Sequence, residues 1–298
     1  MAESRKTYWE KRMEQLYDAQ NIKKLEKKLR REYQRLAENL KKEIAAYYQK
    51  YGKDNVIDYR ELVKSLSQAE RDMLYRDMNR FVAKHPDLAH LIPIRESIYK
   101  LNRLEGLELS IRLLTLDFGA MEQEEILEFL QQAYESGYLS SMKGLENAPS
   151  FFDINRNAMM LTINEKWTNG ENYSDRVWKN KERLINSINT YIRDGIIRGD
   201  SYRDMAKMLT DRTDVGMNET LRLIYTESAF VLNQANKQAF IDAGIKRYQI
   251  SAVLDQRTSP TCRRLNGEIF EFGDAKVGVN YPPFHPWCRT TVIPLENE

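Results

Sequence analysis

The side chains that could carry out metal or thiol chemistry lie close together near the end of this sequence. The chain has two cysteines and three histidines among its 298 residues, and Cys262, His285 and Cys288 fall within one short segment. Thiolate sulfur and imidazole nitrogen are donor atoms that zinc favours. The segment therefore offers three zinc ligands, and Asp255, Glu268 or a water molecule could supply the fourth.

The same residues allow three other interpretations. The cysteines could be small buried side chains beside a hydrogen-bonded histidine, because free cysteine is often buried. They could instead form a disulfide, which is rare in the reducing cytosol where we expect this chain to fold. A nucleophilic cysteine with His285 as its base is a further alternative, but no polar third residue of such a site is evident.

Two local elements must position these donor atoms. Ser259 followed by Pro260 predicts the start of a short helix over residues 260–265, because serine caps a helix and proline suits its first position. Cys262 then falls in the first turn, where the helix dipole favours a thiolate. Residues 282–286 contain too many prolines for a helix or a central strand. They predict a rigid extended loop that presents the histidine and the second cysteine.

Most of the remaining sequence is predicted to be helical, with strands only towards its end. We interpret Gly119, Gly137 and Gly244 as helix stops, and Ser67 and Ser201 as helix caps. The predicted helices cover residues 22–51, 67–85, 92–118, 121–135, 174–193 and 218–243, with a short helix after Ser201, a connector at 137–149, and strands at 248–254, 268–272 and 290–293.

These elements indicate a mainly α fold with a small C-terminal α+β domain and an elongated N-terminal helical body. We divide the chain into three parts on this basis. Residues 1–52 form a basic amphipathic helical arm, residues 53–198 form the helical body, and residues 199–298 form the α+β domain.

The helix predicted within the arm has one apolar face. Its apolar residues recur at alternating steps of three and four, which is an eleven-residue period and favours a nearly straight helix. We expect the rest of this chain to cover that face, with docking on another subunit as the alternative. We call these residues the apolar stripe: Ile22, Leu25, Leu29, Tyr33, Leu36, Leu40, Ile44, Tyr47 and Tyr51.

The same helix carries a cluster of cations that could bind the phosphates of packaged DNA without sequence preference. We call them the basic cluster: Lys23, Lys24, Lys27, Lys28, Arg30 and Arg31. The whole chain has a formal net charge of only +2, from 46 basic and 44 acidic residues. This balance argues against a protein that coats DNA through its overall charge, so we expect any contact with DNA to be local.

No apolar run approaches the length of a membrane span, and the amino terminus lacks the apolar core of a signal peptide. We therefore expect folding in a cytoplasm and no membrane partner.

The C-terminal third of the chain, residues 200–296, resembles the phage minor head proteins, the head-morphogenesis or Mu F-like family. The pair Thr226-Glu227 in a predicted helix contributes to the resemblance. Two positions depart from the family pattern. Tyr225 stands where an arginine is frequent, and Thr290 stands where a third cysteine is frequent. The other matching residues are Gly244, Tyr248, Asp255, Thr258, Cys262, Leu265, Gly267, Pro282, Pro283, His285, Pro286, Cys288 and Arg289.

The resemblance implies a minor structural protein of a tailed phage or prophage, located in the virion at the portal vertex after assembly in the host cytoplasm. Its implied partners are the portal protein and the major capsid or scaffold protein. Its implied role is to assist procapsid assembly, DNA packaging or ejection, without catalysis. The alternative from another class is a metal-dependent nuclease or hydrolase that uses the Cys/His residues. The family's domain also occurs fused to toxin domains, and with the chain ending at Glu298 we expect no such cargo here.

Overall fold

The computed structural model describes residues 20–92, 95–145 and 153–295, and it is mainly α-helical with a small sheet near the carboxyl end, as the sequence predicts. The helices are α1 (Gln20–Tyr51), α2 (Tyr59–Leu62), α3 (Gln68–Lys84), α4 (Arg103–Lys143), α5 (Arg156–Ile163), α6 (Tyr173–Arg198), α7 (Tyr202–Asp242) and α8 (Pro260–Leu265), with 3-10 turns at Pro86–Leu91, Arg95–Lys100 and Phe272–Asp274. The strands are β1 (Gly52–Lys53), β2 (Val56–Ile57), β3 (Arg247–Ser251), β4 (Ile269–Glu271) and β5 (Thr291–Leu295).

The chain divides into two compact units, each built from segments that are separate in the sequence. The helical unit comprises, in its described part, residues 27–92, 95–124 and 177–219. The tail unit comprises residues 20–26, 125–145, 153–176 and 220–295. The three-part division at residues 52 and 198 stays a prediction.

Helix α1 confirms the predicted helix and its apolar stripe. Every stripe residue from Ile22 to Tyr47 is buried within the chain, and Tyr51 at the helix end is half-buried. The apolar face is therefore covered by this chain, as expected from a single stripe on a charged helix. Helix α3 begins as predicted at the capping box of Ser67 and Glu70, in which each side chain accepts the backbone N–H of the other residue.

The glycines at 119 and 137 do not end helices, so the predicted break after residue 118 and the predicted start of a connector at residue 137 are wrong. A single helix, α4, runs through both positions. A Cβ atom at Gly119 would lie 2.9 Å from atoms of Trp178 and Lys181, and one at Gly137 would lie 3.1 Å from Leu232. Both glycines therefore lie inside the helix, where the absence of a Cβ atom lets other side chains pack closely against it.

Helix α7 is likewise one helix where the sequence predicts a short helix and a long one. Its cap is confirmed, because the hydroxyl of Ser201 accepts the N–H of Asp204 at 3.3 Å. Its end is confirmed too. Gly244 has a φ of 77°, and the N–H of Ile245 reaches back to the carbonyl of Phe240 at 2.9 Å. This is the Schellman arrangement, and it turns the chain into β3.

The tail unit contains an antiparallel sheet in the order β4-β3-β5, close to the three strands predicted. Its core is aromatic. The ring of Tyr248 lies 4.8 Å from that of Phe272 and 5.2 Å from that of Tyr281, and Tyr248 and Tyr281 are fully buried. The hydroxyl of Tyr281 donates to the carbonyl of Asn233 at 2.7 Å, which ties the sheet to α7. This packing carries the two segments that hold the cysteines.

Among the helices in the described ranges, none is long and apolar enough to cross a membrane.

Candidate metal centre

Helix α8 positions Cys262 as the sequence predicts. The hydroxyl of Ser259 accepts the N–H of Cys262 at 3.2 Å, and Pro260 occupies the first helical position. The Cys262 side chain is buried in the first turn of the helix. Its sulfur therefore lies near the positive end of the backbone dipole, which stabilises a thiolate.

The loop of residues 282–289, which we call the Pro-rich loop, positions the other two donors. The N–H of Cys288 donates to the carbonyl of His285 at 3.2 Å, closing a turn between them. Trp287 within this turn has a φ of 62°, a conformation that a bulky residue rarely adopts. Helix α7 supports it: the N–H of Trp287 donates to the hydroxyl of Thr226 at 3.4 Å, and its ring packs 4.7 Å from that of Tyr225.

The structure brings Cys262, His285 and Cys288 together, with their donor atoms all within 4.8 Å of one another. The two sulfur atoms are 3.8 Å apart, and the Nε2 atom of His285 is 3.2 Å from the sulfur of Cys262. Both cysteines are free thiols. In a tetrahedral zinc site with Zn–S bonds of about 2.3 Å, two sulfur ligands lie about 3.8 Å apart.

The orientation of His285 leaves one ring nitrogen available to this cluster. Its Nδ1 atom lies 2.7 Å from the carbonyl oxygen of Pro286. A carbonyl only accepts, so the geometry assigns the proton to Nδ1 and the lone pair to Nε2. That lone pair is directed at Cys262. A backbone carbonyl behind the ring is also what fixes the tautomer of metal-bound histidines.

Electrostatics separate the two thiols. A hydrogen bond from Cys288 lowers the pKa of Cys262 most strongly, burial opposes this, and hydrogen bonds with Ser259 and Thr290 lower it further. The pKa of Cys288 is raised, because it donates to Cys262 and would otherwise place a second buried negative charge beside the first. The cluster therefore loses its first proton from Cys262.

Asp255 has a different role from that of a fourth donor. Its carboxylate lies 2.6 Å from the guanidinium of Arg289 and accepts the N–H of Arg257 at 2.8 Å. The hydrogen bond from Arg289 is the main cause of the lowered pKa of Asp255. Over the described part of the chain, the donor atoms that converge are those of the two cysteines and His285, so Asp255 and Glu268 both stand outside the group.

The hydroxyl of Thr290 forms a hydrogen bond with the sulfur of Cys262, beside the three donors. Thr290 is buried, and it is the position at which the sequence departs from the family's third cysteine. The chain thus supplies three donors of the types that zinc favours, with a hydroxyl beside them.

Two buried residues of α7 in the same unit as the site have structural roles that the sequence did not indicate. Glu227 is buried, accepts the indole N–H of Trp167 at 3.0 Å and forms an ion pair with Arg176. Asn233 is buried and donates to the carbonyl of Thr290 at 3.3 Å. No local sequence pattern marks either role, because their partners lie in other segments of the chain.

The residues that we predict to bind DNA all lie on α1. All six members of the basic cluster have exposed side chains. Exposure is required for binding phosphates but does not test it, so this interpretation stays a prediction.

Comparison with known proteins agrees with the resemblance in the C-terminal part. Residues 186–293 match the family model described as Phage Mu protein F like protein. An uncharacterized protein of Haemophilus influenzae is 25% identical over 116 residues, which cover 39% of this chain and 26% of that protein. The NAD(+)--arginine ADP-ribosyltransferase EFV of Enterococcus faecalis is 25% identical over 143 residues, which cover 45% of this chain and 29% of that protein.

The chain thus spans less than a third of the length of each of these relatives. No solved structure matches it. The matched residues extend from the second half of α6 through α7 and the sheet to β5, and they include all three donor residues. Over this segment, the chain is therefore similar to the phage Mu F-like head-morphogenesis family, as the sequence predicts.

Proposed function

We propose that the protein is a minor structural protein of a tailed phage or prophage head, which associates with the portal vertex and assists procapsid assembly, DNA packaging or ejection. The observation that carries this proposal is the match of residues 186–293 to the Mu F-like family. Its partners are the portal protein and the major capsid or scaffold protein, and it resides in the virion after assembly in the host cytoplasm.

The tail unit supports a role in protein binding. Its small sheet is held on α7 by a buried hydrogen bond between Thr291 and Asn233. The Pro-rich loop contacts α7 through Trp287 and α8 through Cys288. The loop nevertheless leaves the Trp287 side chain 46% exposed. Exposed tryptophan on a rigid support is common at protein interfaces, because it adds contact area with little loss of conformational freedom.

The test is association with the head proteins of the same phage. We expect the full chain to co-purify with the portal protein, or with the capsid or scaffold protein, and to be found in purified particles by mass spectrometry. A tail-tube protein from the same phage serves as the control for non-specific association. Absence from particles, together with no association with any head protein at micromolar concentration, would overturn the proposal.

We also propose that the basic cluster on α1 binds packaged DNA through its phosphates. Six phosphate contacts predict that affinity falls about a thousandfold between 50 and 200 mM salt, because each contact releases a counterion. Fluorescence anisotropy with two unrelated duplexes of equal length measures this dependence, and both duplexes should bind equally.

A pair of matched variants tests the location of this DNA contact. Replacing Lys27 and Lys28 with glutamine should reduce the salt slope by about two contacts. The control replaces Lys41 and Lys42, which are farther along the same helix, and should leave the slope unchanged. A salt response that is flat, or equal losses from both pairs of substitutions, would contradict DNA binding at the basic cluster.

One observation favours a second candidate, a metal-dependent nuclease or hydrolase. Three protein ligands with one further position is the composition of catalytic zinc sites. The carboxylates of Asp255 and Glu227 are held by Arg289 and Arg176, so neither is placed to act as a base. This candidate predicts cleavage that depends on a divalent metal and is lost in His285→Ala.

A further inference from the structure

We infer that Cys262, His285 and Cys288 bind one zinc ion, which holds the Pro-rich loop against the amino-terminal turn of α8. The inference concerns the isolated protein and is independent of its partners in the head. Two segments supply the three donors: one residue comes from α8 and two come from the loop. A metal ion bound here would link α8 directly to the Pro-rich loop. Along the chain, these two segments are connected only through β4 and the residues that follow it.

The donor atoms are already close to the arrangement that zinc requires. The separation of the two sulfurs, 3.8 Å, equals the separation of about 3.8 Å expected for two thiolates on one tetrahedral zinc. The separation of 3.2 Å between Nε2 of His285 and the sulfur of Cys262 is a few tenths of an ångström below the roughly 3.5 Å of a tetrahedral S–Zn–N pair. The third separation, between the nitrogen of His285 and the sulfur of Cys288, is at most 4.8 Å. Movement of the imidazole towards Cys288 would bring it to the tetrahedral value.

Each donor is also fixed from behind by the chain. Ser259 anchors the backbone of Cys262, the carbonyl of Pro286 holds Nδ1 of His285, and Cys288 receives backbone hydrogen bonds from Phe284 and Thr290. Such outer contacts orient ligands before the metal arrives and are typical of zinc sites. Three side chains that pack together only to fill space would not each need a hydrogen bond that orients the donor atom.

The backbone of Trp287 supplies an independent observation. A tryptophan with a φ of 62° is strained, and such residues persist only where their surroundings hold them, often at functional sites. Here the left-handed turn directs His285 and Cys288 towards the same point. The contacts of Trp287 with Thr226 and Tyr225 maintain that turn. The strained residue thus serves the convergence of the two loop donors.

The ligand types favour zinc over other ions and over a disulfide. Two thiolates and an imidazole suit zinc, whereas magnesium and calcium prefer oxygen ligands. A disulfide would require the two sulfur atoms to approach from 3.8 Å to about 2.05 Å. It would also leave the Nε2 lone pair of His285 with no metal ion or proton to bind. On binding, each thiol releases one proton to solvent, so Zn²⁺ and two thiols give a neutral centre and two protons. Three protein donors leave the fourth position of a tetrahedral zinc ion to water.

The first test is the metal content of the full, tag-free chain, measured by mass spectrometry after dialysis against a zinc-containing and then a metal-free buffer. We expect about one zinc per chain, and nearly none in Cys262→Ser or His285→Asn. The matched control is His90→Asn, which removes an exposed histidine of the 3-10 turn Pro86–Leu91 and should keep its zinc. Cobalt substitution gives a second readout, because Cys288→Ser should halve the thiolate-to-metal absorption.

A variant that gains zinc affinity is a further test, because its result cannot be explained by misfolding. Thr290→Cys places a thiol where the hydroxyl now meets Cys262, and it should tighten zinc binding by at least the roughly tenfold that an outer-shell partner contributes. Thr290→Val is the size-matched control and should not tighten it. For the unmodified chain, chelation should lower Tm by about 10 °C, and added zinc should restore it.

Several results would overturn the inference: a metal-free protein after exposure to micromolar zinc, zinc retained by both Cys262→Ser and His285→Asn, or a Cys262–Cys288 disulfide in protein kept under reducing conditions. These outcomes are distinct from a failure of the proposed head function. Zinc-free protein that still enters particles contradicts the zinc site alone. Zinc-bound protein that associates with no head component contradicts the head function alone.

Discussion

Replacing Lys181 with methionine is expected to lower the free energy of unfolding by about 3–5 kcal/mol. Lys181 lies in α6 of the helical unit with a side chain only 1% exposed, and its ammonium is 2.5 Å from the carboxylate of Glu122, which is fully buried. It also donates to the hydroxyl of Tyr33 and stands over the ring of Phe118 at 4.7 Å. The substitution leaves a buried carboxylate without its cation.

The size of this effect follows from desolvation. Burial lowers the pKa of Lys181, and the charge of Glu122 opposes that change, so the two charges are tolerable only together. Urea unfolding followed by circular dichroism measures the loss. The double variant Lys181→Met with Glu122→Leu replaces the pair by apolar side chains and should recover most of the stability. A double variant no more stable than the single one would contradict the account, since the loss would then come from packing.

The pair also illustrates what the sequence could not predict. Lys181 and Glu122 are far apart in the chain, and each looks like one more solvated charge in a sequence with 30% charged residues. Gly119 has the same difficulty. Its interpretation as a helix stop follows from local preference, but its function is to let Trp178 and Lys181 pack against α4. In both cases the deciding contact lies between helices, and no local pattern encodes it.

Elements with a local cause were predicted well. The stripe of α1, the cap at Ser67, the left-handed Gly244 and the start of α8 at Ser259 are each specified by residues within a turn or two. The meeting of the three donors was also predictable, because a short helix and a proline-rich loop each present their ligand in a fixed direction. That the donors bind zinc, and that the basic cluster binds DNA, stay predictions.

The roles of Thr226 and Glu227 could not be predicted from local sequence, because their partners, like those of Lys181 and Glu122, are distant in the chain. The hydroxyl of Thr226 reaches the Pro-rich loop, and Glu227 beside it reaches Trp167 and Arg176 in other segments. The resemblance to phage head proteins included Thr226 and Glu227 but assigned no structural role to either residue. In the structure, the two residues anchor different parts of the tail unit to one point of α7.

Glu227→Ala is accordingly expected to destabilise the tail unit by about 3–5 kcal/mol. The side chain is 1% exposed and holds two donors, the guanidinium of Arg176 and the indole N–H of Trp167, whose ring stacks on Phe230 at 4.6 Å. Alanine leaves a largely buried guanidinium and an indole N–H without their acceptor. Burial raises the pKa of Glu227 while the charge of Arg176 opposes that rise, as expected of a carboxylate that depends on its partner.

Two comparisons separate this cause from simple loss of volume. Glu227→Gln keeps the size and an acceptor for Trp167 but removes the charge, so it should cost less than alanine yet remain clearly destabilising. Glu268→Ala removes an exposed carboxylate of the same unit and should change stability by less than about 0.5 kcal/mol. Urea unfolding monitored by tryptophan fluorescence and by circular dichroism would measure all three. If Glu227→Ala unfolded at the same urea concentration as Glu268→Ala, the buried pair would not be what holds Trp167 and α6 to this part of α7.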